Sequence, residues 1–390
     1  MTATTVSQQS VVLCVGDTTY LDYKPIEAKR EGYGPQGNGG NGLLLHSGLA
    51  VAPEDGQPLG LLWQKLWNRT HPTPPPVDET PAQKKKRQSE ARKAKRKRPF
   101  EEKESYRWVE AIAEAEQTVE STTQVIHVFD REGDIAEVFA HLNDCTHSGV
   151  VVRAAHNRAL EHDPNRLWAK LEAQPIQGYH WVPLPETKTR KARTAKLALR
   201  YCAVELRAPS RLGDDGPLKV YAVYAHEVDA PEGEEPVSWM LLTSEGVDSL
   251  EQAKTILRWY TYRWRIEDYH QVLKSGCQAE RYRLAAGGMK TLLGFLTVIA
   301  VDLLRLTYLH RTQPELPAEQ VLSEAQLAVL TAKASKCPAT LTVGWAVATI
   351  ARLGGYLEHR RKTPIGIQVL WRGWAKLHDL VEGWQLANQT

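Results

Sequence analysis

The sequence lacks the features that mark several common classes of protein. Its five cysteines are scattered and contain no CxxC pair, which excludes a zinc finger and a disulfide-stapled scaffold and suits a reducing, intracellular compartment. The N-terminus has no basic segment followed by an apolar run, so no signal peptide is expected. No Gly-Lys-Ser/Thr accompanies the glycine-rich stretch 32–42, which argues against a phosphate-binding P-loop.

Long hydrophobic runs are also missing. The longest, Leu292 to Leu304, is too short to span a bilayer and is interpreted as a core helix. The hydrophobic fraction of 42% in 390 residues is ample for a buried core and indicates about two or three domains. The sequence therefore predicts a soluble cytoplasmic protein.

The net charge of +3 is small, but the charge is unevenly distributed. Residues 84–98 contain ten Lys or Arg and one acid, and a proline-rich piece precedes them. Residues 69–99 are therefore predicted to be a mobile insertion. Two interpretations of the basic block stand side by side: a solvated loop or frayed helix, and a contact with DNA that does not depend on base sequence.

Strand and helix patterns alternate along the first part of the chain, which predicts an α/β fold. Strands are expected at Val11 to Val15, Leu43 to Val51, Thr123 to Phe129 and Gly149 to Val152, with a helix at Ser105 to Val119. From 158 to 244 the pattern changes to period-two alternation, which predicts an antiparallel β unit inside the α/β domain.

The second half is predicted to be mostly helical. Val247 to Lys274 is expected to be mostly helix, and the C-terminal region is expected to be helical with a break at Pro364. The resulting division is 1–157 and 245–310 for the two parts of the core, 158–244 for the β insertion, and 311–390 for the helical C-terminal region.

The segment Tyr260 to Lys274 carries the strongest functional pattern. Tyr260, Arg263, Glu267 and Lys274 fall within an arc of roughly 60° if the segment is one helix. About 120° round the helix lies a second stripe that can anchor the helix in a core: Tyr262, Ile266, Tyr269 and Leu273. A carboxylate flanked by cations suits a site that holds a metal ion and a polyanion together.

Two further carboxylates are expected at strand ends, Asp17 after V-V-L-C-V-G and Asp130 after V-I-H-V-F. Together with Glu267 they could bind two divalent cations for phosphoryl transfer, and hard oxygen ligands select Mg²⁺ or Mn²⁺. Each residue taken alone has a simpler interpretation. Asp17 suits a turn, Asp130 a solvated loop, and Glu267 a surface ion pair with Arg263.

The ordered motifs of the chain resemble those of bacterial insertion-sequence DDE transposases with the YREK signature, the IS-four family. The signature spacing Y-x2-R-x3-E-x6-K begins at Tyr260, G-D-T-T surrounds Asp17, and V-F-D-R-E-G-D-I surrounds Asp130. W-M-L-L-T-S-E from Trp239 and A-x-x-x-I-A-R-L-G-G-Y ending at Tyr356 are similar too. The resemblance covers nearly the whole chain.

This resemblance implies a ribonuclease-H-like catalytic core interrupted by a β-sheet insertion. It also implies cut-and-paste transposition: two Mg²⁺ ions, for which Mn²⁺ can substitute, cut DNA through a hairpin intermediate and join it to target DNA. Asp17, Asp130 and Glu267 would be the catalytic, metal-binding residues.

The resemblance further implies a set of DNA contacts and partners. Tyr260, Arg263 and Lys274 would hold phosphates, and Trp239 would stack on a flipped base. Without the resemblance, Trp239 is better interpreted as a core tryptophan that begins the strand W-M-L-L. Trp264 is expected to wedge into DNA, while Arg153 and Arg283 suit either phosphate contacts or surface ion pairs. The expected partners are double-stranded DNA, as transposon ends and target, and a second copy of the chain.

The chain departs from the family pattern at its start. It begins only 16 residues before Asp17, so the N-terminal domain that recognises transposon ends is expected to be absent. This leaves two alternatives to a working transposase. The chain could be a truncated DNA-binding remnant that inhibits a full-length copy, or a two-metal nuclease that does not transfer strands.

Overall fold

The computed structural model describes residues 2–24, 32–37, 39–71, 74–76, 78–184, 191–213, 216–357 and 365–388. Pro72, in the proline-rich piece, and Pro364, the predicted helix break, lie outside these ranges.

Ten strands lie within the described ranges. They are β1 (Val11–Asp22), β2 (Gly34–Pro35), β3 (Asn41–Val51), β4 (Pro58–Trp67), β5 (Gln124–Phe129), β6 (Ser148–Arg153), β7 (Gly178–Leu184), β8 (Arg193–Leu206), β9 (Leu218–Val228) and β10 (Ser238–Thr243). The α-helices are α1 (Thr2–Val6), α2 (Pro81–Lys97), α3 (Tyr106–Thr118), α4 (Ala136–His141), α5 (Leu167–Glu172), α6 (Leu250–Thr261), α7 (Arg265–Gln271), α8 (Ala286–Thr312), α9 (Glu324–Lys333), α10 (Val343–Leu353) and α11 (Ile367–Ala387). The expected α/β class is confirmed at this level.

All ten strands belong to one mixed sheet. Its order is β2-β3-β1-β5-β6-β10-β9-β8-β7, with β4 on the outer side of β3. Only the β1–β5 and β5–β6 pairs are parallel. The strands of residues 158–244 are antiparallel as predicted, but they form no separate sheet, because β10 pairs with β6 and extends the central sheet.

The two faces of the sheet are buried by different helices. Leu13 and Val15 of β1 belong to a large core that includes Ile266 and Tyr269 of α7. The alternate residues Val12 and Cys14 pack with α3 on the other face, as the period of two along a strand requires. Burial on both faces explains the unbroken apolar run that begins β1.

The predicted signature helix is not a single regular helix. After α6 the chain makes a 3₁₀ turn at Tyr262–Trp264, continues as α7, and ends in a π-helical turn at Val272–Gly276. The sequence-based arc of 60° assumed uniform winding and therefore does not hold along the whole segment. The anchoring stripe is largely confirmed, since Ile266, Tyr269 and Leu273 are fully buried.

The basic block forms helix α2, which corresponds to the helical one of the two solvated conformations, loop or frayed helix, that its composition predicts. Thr80 caps the helix in a reciprocal capping box with Gln83, and Pro81 occupies its first turn. None of its residues is buried. Local capping therefore defines this helix, while packing against the core contributes nothing.

Helix α8 is longer than the apolar run from which it was predicted. By length and composition it could cross a membrane, with a mean hydropathy of 1.8 over its most apolar window. Of that window, 56% is buried inside the protein, as in the core helix of a soluble protein. Helices α9, α10 and α11 follow it and form the predicted helical C-terminal region.

Candidate functional site

Asp17 and Asp130 lie on adjacent parallel strands and on the same face of the sheet. The β1–β5 pairing aligns Val15 with Val128, and continuing this register by two residues sets Asp17 beside Asp130. Val15 and Val128 both point into the core that contains α7. Because side chains two residues apart share a face, both aspartates face the helix that carries Glu267.

The sequence placed Asp17 at the end of a strand, and the structure contradicts this. Strand β1 continues to Asp22 and pairs there with β3, so Asp17 lies in mid-strand opposite Ser47. It is β5 that ends, at Phe129, and Asp130 caps the following short turn by accepting from the Glu132 N–H at 2.8 Å. The end of β5 opens a gap in the sheet beside Asp17.

Phe129 packs against both the segment that carries Asp17 and the turn that follows Asp130. A Cβ on Gly16 would lie 2.8 Å from the Phe129 ring, and one on Gly133 would lie 2.6 Å from the Phe129 Cβ. Both distances are shorter than van der Waals contact allows, so the ring packs where only glycine fits. The glycines next to Asp17 and after Asp130 therefore let the two strands approach with their carboxylates in register.

The three carboxylates influence one another electrostatically. Burial is the main cause that raises the pKa of Asp17 to about 6, and the Thr18 N–H, 2.7 Å from Oδ1, opposes it. The charges of Asp130 and Glu267 raise this pKa further, while Arg263 lowers it. We call the place at the end of β5 where Asp17, Asp130 and Glu267 lie the carboxylate edge. The negative charge of this edge therefore exceeds what the neighbouring Arg263 offsets.

Glu267 is held by Arg263 across one turn of the signature segment. Arg263 Nη2 donates to Glu267 Oε1 at 2.6 Å. The arginine is largely buried, whereas 41% of the Glu267 side chain is exposed. The ion pair expected as the simpler interpretation is therefore present, and it lies at the carboxylate edge instead of on a remote surface.

Tyr260, Trp239 and Arg153 form a second group beside this edge. The Trp239 and Tyr260 rings meet edge to face, with centroids 5.5 Å apart. Arg153, at the end of β6, donates from Nη2 to the Ser238 carbonyl at 3.0 Å. Burial raises the pKa of Tyr260, and the positive charges of Arg153 and Arg263 act against it. The structure thus brings three of the predicted DNA contacts together.

Lys274 stands apart from the carboxylates. Its Nζ donates to the Tyr20 carbonyl at 2.8 Å and lies 3.3 Å from Glu280 Oε1. Tyr20 is three residues beyond Asp17 on β1, a distance of about 10 Å along an extended strand. The π-helical turn carries Lys274 to this position, which sequence spacing alone did not anticipate.

Trp264 and Arg283 are exposed, but only Trp264 belongs to the site. Trp264 is 57% exposed, and the Arg263 guanidinium lies 4.7 Å from the centre of its ring. Arg283 follows the signature segment in the loop before α8, and within the described part of the chain it forms no ion pair. Among the described residues, no contact draws Arg283 toward the carboxylates.

A groove of about 1060 Å³ opens beside the carboxylate edge, between α6–α7 and the strands β7, β9 and β10. The carboxylates are not part of its wall, which begins at Arg131 and Trp264, the chain neighbours of Asp130 and Arg263. Its aromatic and charged lining includes Trp168, Trp181, Tyr224, Trp239, Trp264, Arg131, Arg153, Arg258, Arg265, Glu172, Glu235 and Asp268. Tryptophans combined with arginines suit unpaired bases and their phosphates.

Arg107 on α3 is a site residue that the sequence did not indicate. Its Nε donates to Thr18 Oγ1 at 2.9 Å and its Nη2 to Glu132 Oε2 at 2.6 Å. It therefore bridges the residue after Asp17 and the turn that follows Asp130. No motif marked Arg107, because in sequence it is one polar residue of an amphipathic helix.

Asp134 has a purely structural environment, although it belongs to the same motif as Asp130. It is almost fully buried, and its Oδ1 accepts from Arg158 Nε at 3.0 Å. Its Oδ2 accepts from the N–H groups of Ala155 and His156. With its oxygens occupied in this way, Asp134 is not available to a ligand.

The donor set at the edge suits a hard cation, although it is not arranged as a closed site. Within the described ranges, no three His, Cys, Asp or Glu side chains are grouped closely enough to hold a metal ion. Three carboxylates are nevertheless the ligands that Mg²⁺ prefers, and a cation would relieve the repulsion felt by Asp17. One oxygen of Glu267 accepts a hydrogen bond from Arg263, so both of its oxygens could bind a metal only after this pair rearranged.

Comparison of the chain with models of known protein families finds no match.

Proposed function

We propose that this chain is a metal-dependent DNA transposase of the DDE class with a ribonuclease-H-like core. The observation that carries the proposal is the convergence of Asp17, Asp130 and Glu267 on one edge of the sheet, from segments more than a hundred residues apart. Carboxylates that repel one another are costly to bring together, so their grouping favours a role that uses their charge.

Asp17, Asp130 and Glu267 are the proposed ligands of two Mg²⁺ ions. When bound, these ions activate a water or a 3′-hydroxyl as nucleophile and stabilise the leaving oxygen of the phosphodiester. Hydrolysis frees a 3′-hydroxyl, and strand transfer then exchanges one phosphorus–oxygen bond for another. Asp17 has to lose its proton before it can serve as a ligand, since a metal competes with that proton.

The cations of the site are proposed to bind the DNA backbone. Arg263 can exchange its bond to Glu267 for one to a phosphate oxygen, which would free Glu267 for the metal. Lys274, about 10 Å further along β1, is suited to a phosphate one or two nucleotides away. Arg153 lines the groove, and Tyr260 contacts Trp239 on the groove wall.

Trp239 is proposed to receive a base flipped out of the duplex when a hairpin forms. It is partly buried, it lines the groove, and Tyr260 supports it edge to face. A held indole offers a stacking surface at little entropic cost. Trp264, on the same groove wall, is suited to separating the bases next to it.

The proposed partners are transposon ends, target DNA and a second copy of the chain. Exposed apolar side chains support pairing, because Phe295 and Val298 of α8 are 67% and 59% exposed and lie on one helix face. Because the proposed substrate is DNA, the proposed location of the protein is the cytoplasm, at the nucleoid.

The test uses purified protein, Mg²⁺, a target plasmid, and duplexes that carry the inverted repeats flanking the gene. We expect plasmid-joined duplex with the parent protein. Replacing Asp17, Asp130 or Glu267 by its amide is expected to reduce joining at least 100-fold, since metal stabilisation is worth several kcal/mol.

The matched control is Asp144→Asn, an exposed carboxylate just before β6, at the opposite edge of the sheet from Asp130. This variant should retain joining. Nicking without joining would instead support a nuclease, and a mobility shift with neither product would support a DNA-binding remnant. Cleavage that survives Asp130→Asn would overturn the proposed ligand set.

A further inference from the structure

Helix α2 is a cationic helix that buries none of its own residues. Its 17 residues are all solvent-accessible, and its apolar residues other than Pro81 are three alanines, Ala82, Ala91 and Ala94. Ten Lys or Arg lie between 84 and 98. Within the described part of the chain, only Arg87 among them forms an ion pair, with Glu79.

The charges of α2 work against the helix when it stands alone. Arg92 and Arg96 face each other one turn apart, as do Lys93 and Lys97, and like charges at this spacing are destabilising. No buried face offsets this repulsion, although tertiary packing provides most of the stability of helices in proteins. A polyanion alongside the helix would remove the repulsion.

The base of α2 is fixed next to the carboxylate edge. Arg69, before the helix, forms a bidentate pair with Glu104, after it, at 2.6 and 2.7 Å. Three residues later, Arg107 bonds to Thr18 and Glu132, the neighbours of Asp17 and of the turn at Asp130. The two ends of the segment that carries the basic helix are therefore joined to each other, and the second end leads within three residues to Arg107 beside the proposed cleavage site.

We infer that α2 is an arm that binds the phosphate backbone of duplex DNA beside the carboxylate edge. The inference rests on the proposed function for its substrate. A helix of this length spans about 25 Å, or about seven base pairs. The absence of an apolar face argues against insertion into a membrane surface. Cations on every side of the helix suit a backbone contact that does not read base sequence.

The experiment measures how binding depends on salt. The arm variant carries Lys93→Gln, Lys95→Gln, Arg96→Gln and Lys97→Gln, in an Asp130→Asn background so that the DNA stays intact. A fluorescent 40-base-pair duplex of arbitrary sequence is titrated at several salt concentrations. We expect the slope of log K against log salt to become less negative by about 3 to 4, because each phosphate contact contributes about 0.9.

A charge-matched control carries Lys333→Gln, Lys336→Gln, Arg372→Gln and Lys376→Gln, which are exposed positions of the C-terminal region. Its slope should stay within 1 of the parent. The inference would be overturned if the arm variant and the parent had equal slopes of log K against log salt. It would also be overturned if the arm variant and the control changed the slope by the same amount. Loss of binding to single-stranded DNA or to anionic phospholipid vesicles, with duplex binding intact, would overturn it too.

The arm and the catalytic proposal fail separately in these measurements. If the slope changes but no protein cleaves or joins DNA, the arm stands and the proposed function falls. If joining depends on Asp130 and the slope does not change, the proposed function stands and the arm inference falls.

Discussion

Asp17 shows how a single residue links the fold of this protein to its proposed chemistry. In the folded chain its pKa is about 6, raised mainly by burial, against an ordinary value of 3.8. Between these values the folded state holds a proton that the unfolded state has lost. Folding is therefore weakened as pH rises through this window, and above it the ionised carboxylate carries a constant penalty.

Asp17→Asn is expected to remove this penalty in metal-free protein. The variant should match the parent in free energy of unfolding near pH 4 and exceed it by about 2 to 3 kcal/mol at pH 7.5, about two pKa units at 1.36 kcal/mol each. Urea unfolding in EDTA at both pH values measures the difference. Comparing the two proteins is necessary because the buried His127 and His270, each with a pKa lowered to about 3 by burial, titrate with the opposite sign. A difference that does not change with pH would contradict the assignment.

At the scale of elements, the contact between α10 and α11 depends on two glycines. A Cβ on Gly373 would lie 1.8 Å from the Ile350 carbonyl oxygen, and one on Gly354 would lie 2.0 Å from the Val369 carbonyl oxygen. The helices therefore cross with their backbones in direct contact. No side chain can be inserted at this crossing without separating them.

Gly373→Ala is expected to destabilise the C-terminal region. Alanine is favoured over glycine inside a helix by up to about 1 kcal/mol, but overpacking at a backbone contact costs about 1 to 3 kcal/mol or more, so the loss prevails. Gly383→Ala, in the same helix, is the matched control, since a Cβ there would meet nothing within 4 Å. In thermal unfolding, Gly373→Ala should lower Tm and Gly383→Ala should leave it equal or higher. A lower Tm in both would refute the packing argument.

At the scale of the whole molecule, the carboxylate edge joins distant parts of the chain. Asp17 lies on β1, Asp130 follows β5, and Glu267 lies on α7, which packs across these strands. A metal held by all three would connect the sheet to the signature segment. Binding that is restricted to the folded state also stabilises it.

Mn²⁺ is expected to raise Tm by a few degrees. A concentration of 100 times Kd contributes about 2.7 kcal/mol, and because the entropy of unfolding grows with chain length, Tm of a chain of this size shifts by about 1 °C per kcal/mol. Glu267→Gln should remove most of the rise, measured by calorimetry with and without EDTA. Glu251→Gln, whose parent side chain is 81% exposed on α6, is the control and should respond like the parent. Equal responses from the two variants would rule out Glu267 as a ligand.

Local patterns predicted much of the architecture because they depend on neighbouring residues. The strands β3, β5 and β6 and the helix α3 fall where alternation and helical periodicity placed them, within two residues at each end. Capping was less visible: Thr80 and Gln83 define the start of α2, whereas the charge density of the block left a solvated loop and a frayed helix as alternatives. Composition there concealed a local hydrogen-bonding signal.

The winding of the signature segment illustrates what local patterns do not contain. A regular helix would carry Lys274 on the same face as Glu267, but Lys274 lies in the π turn and bonds to the Tyr20 carbonyl. The continuity of the sheet is a similar case, because pairing of β10 with β6 joins residues about ninety positions apart. Arg107 acquires its position from the packing of α3, which no spacing in the sequence expresses.

The sequence by itself determined the class of the fold, the order of its elements, and the carboxylates and cations from which a site could be built. Periodicity, charge and motif spacing are properties of the chain that do not depend on its folding. Only the tertiary structure decided that Asp17 and Asp130 share one face in register, that Lys274 stands apart, and that Arg107 bridges the segments of the two aspartates. These outcomes depend on strand register and on close packing between distant segments. The free energy of such contacts depends on both segments together, so no local stretch of sequence predicts it.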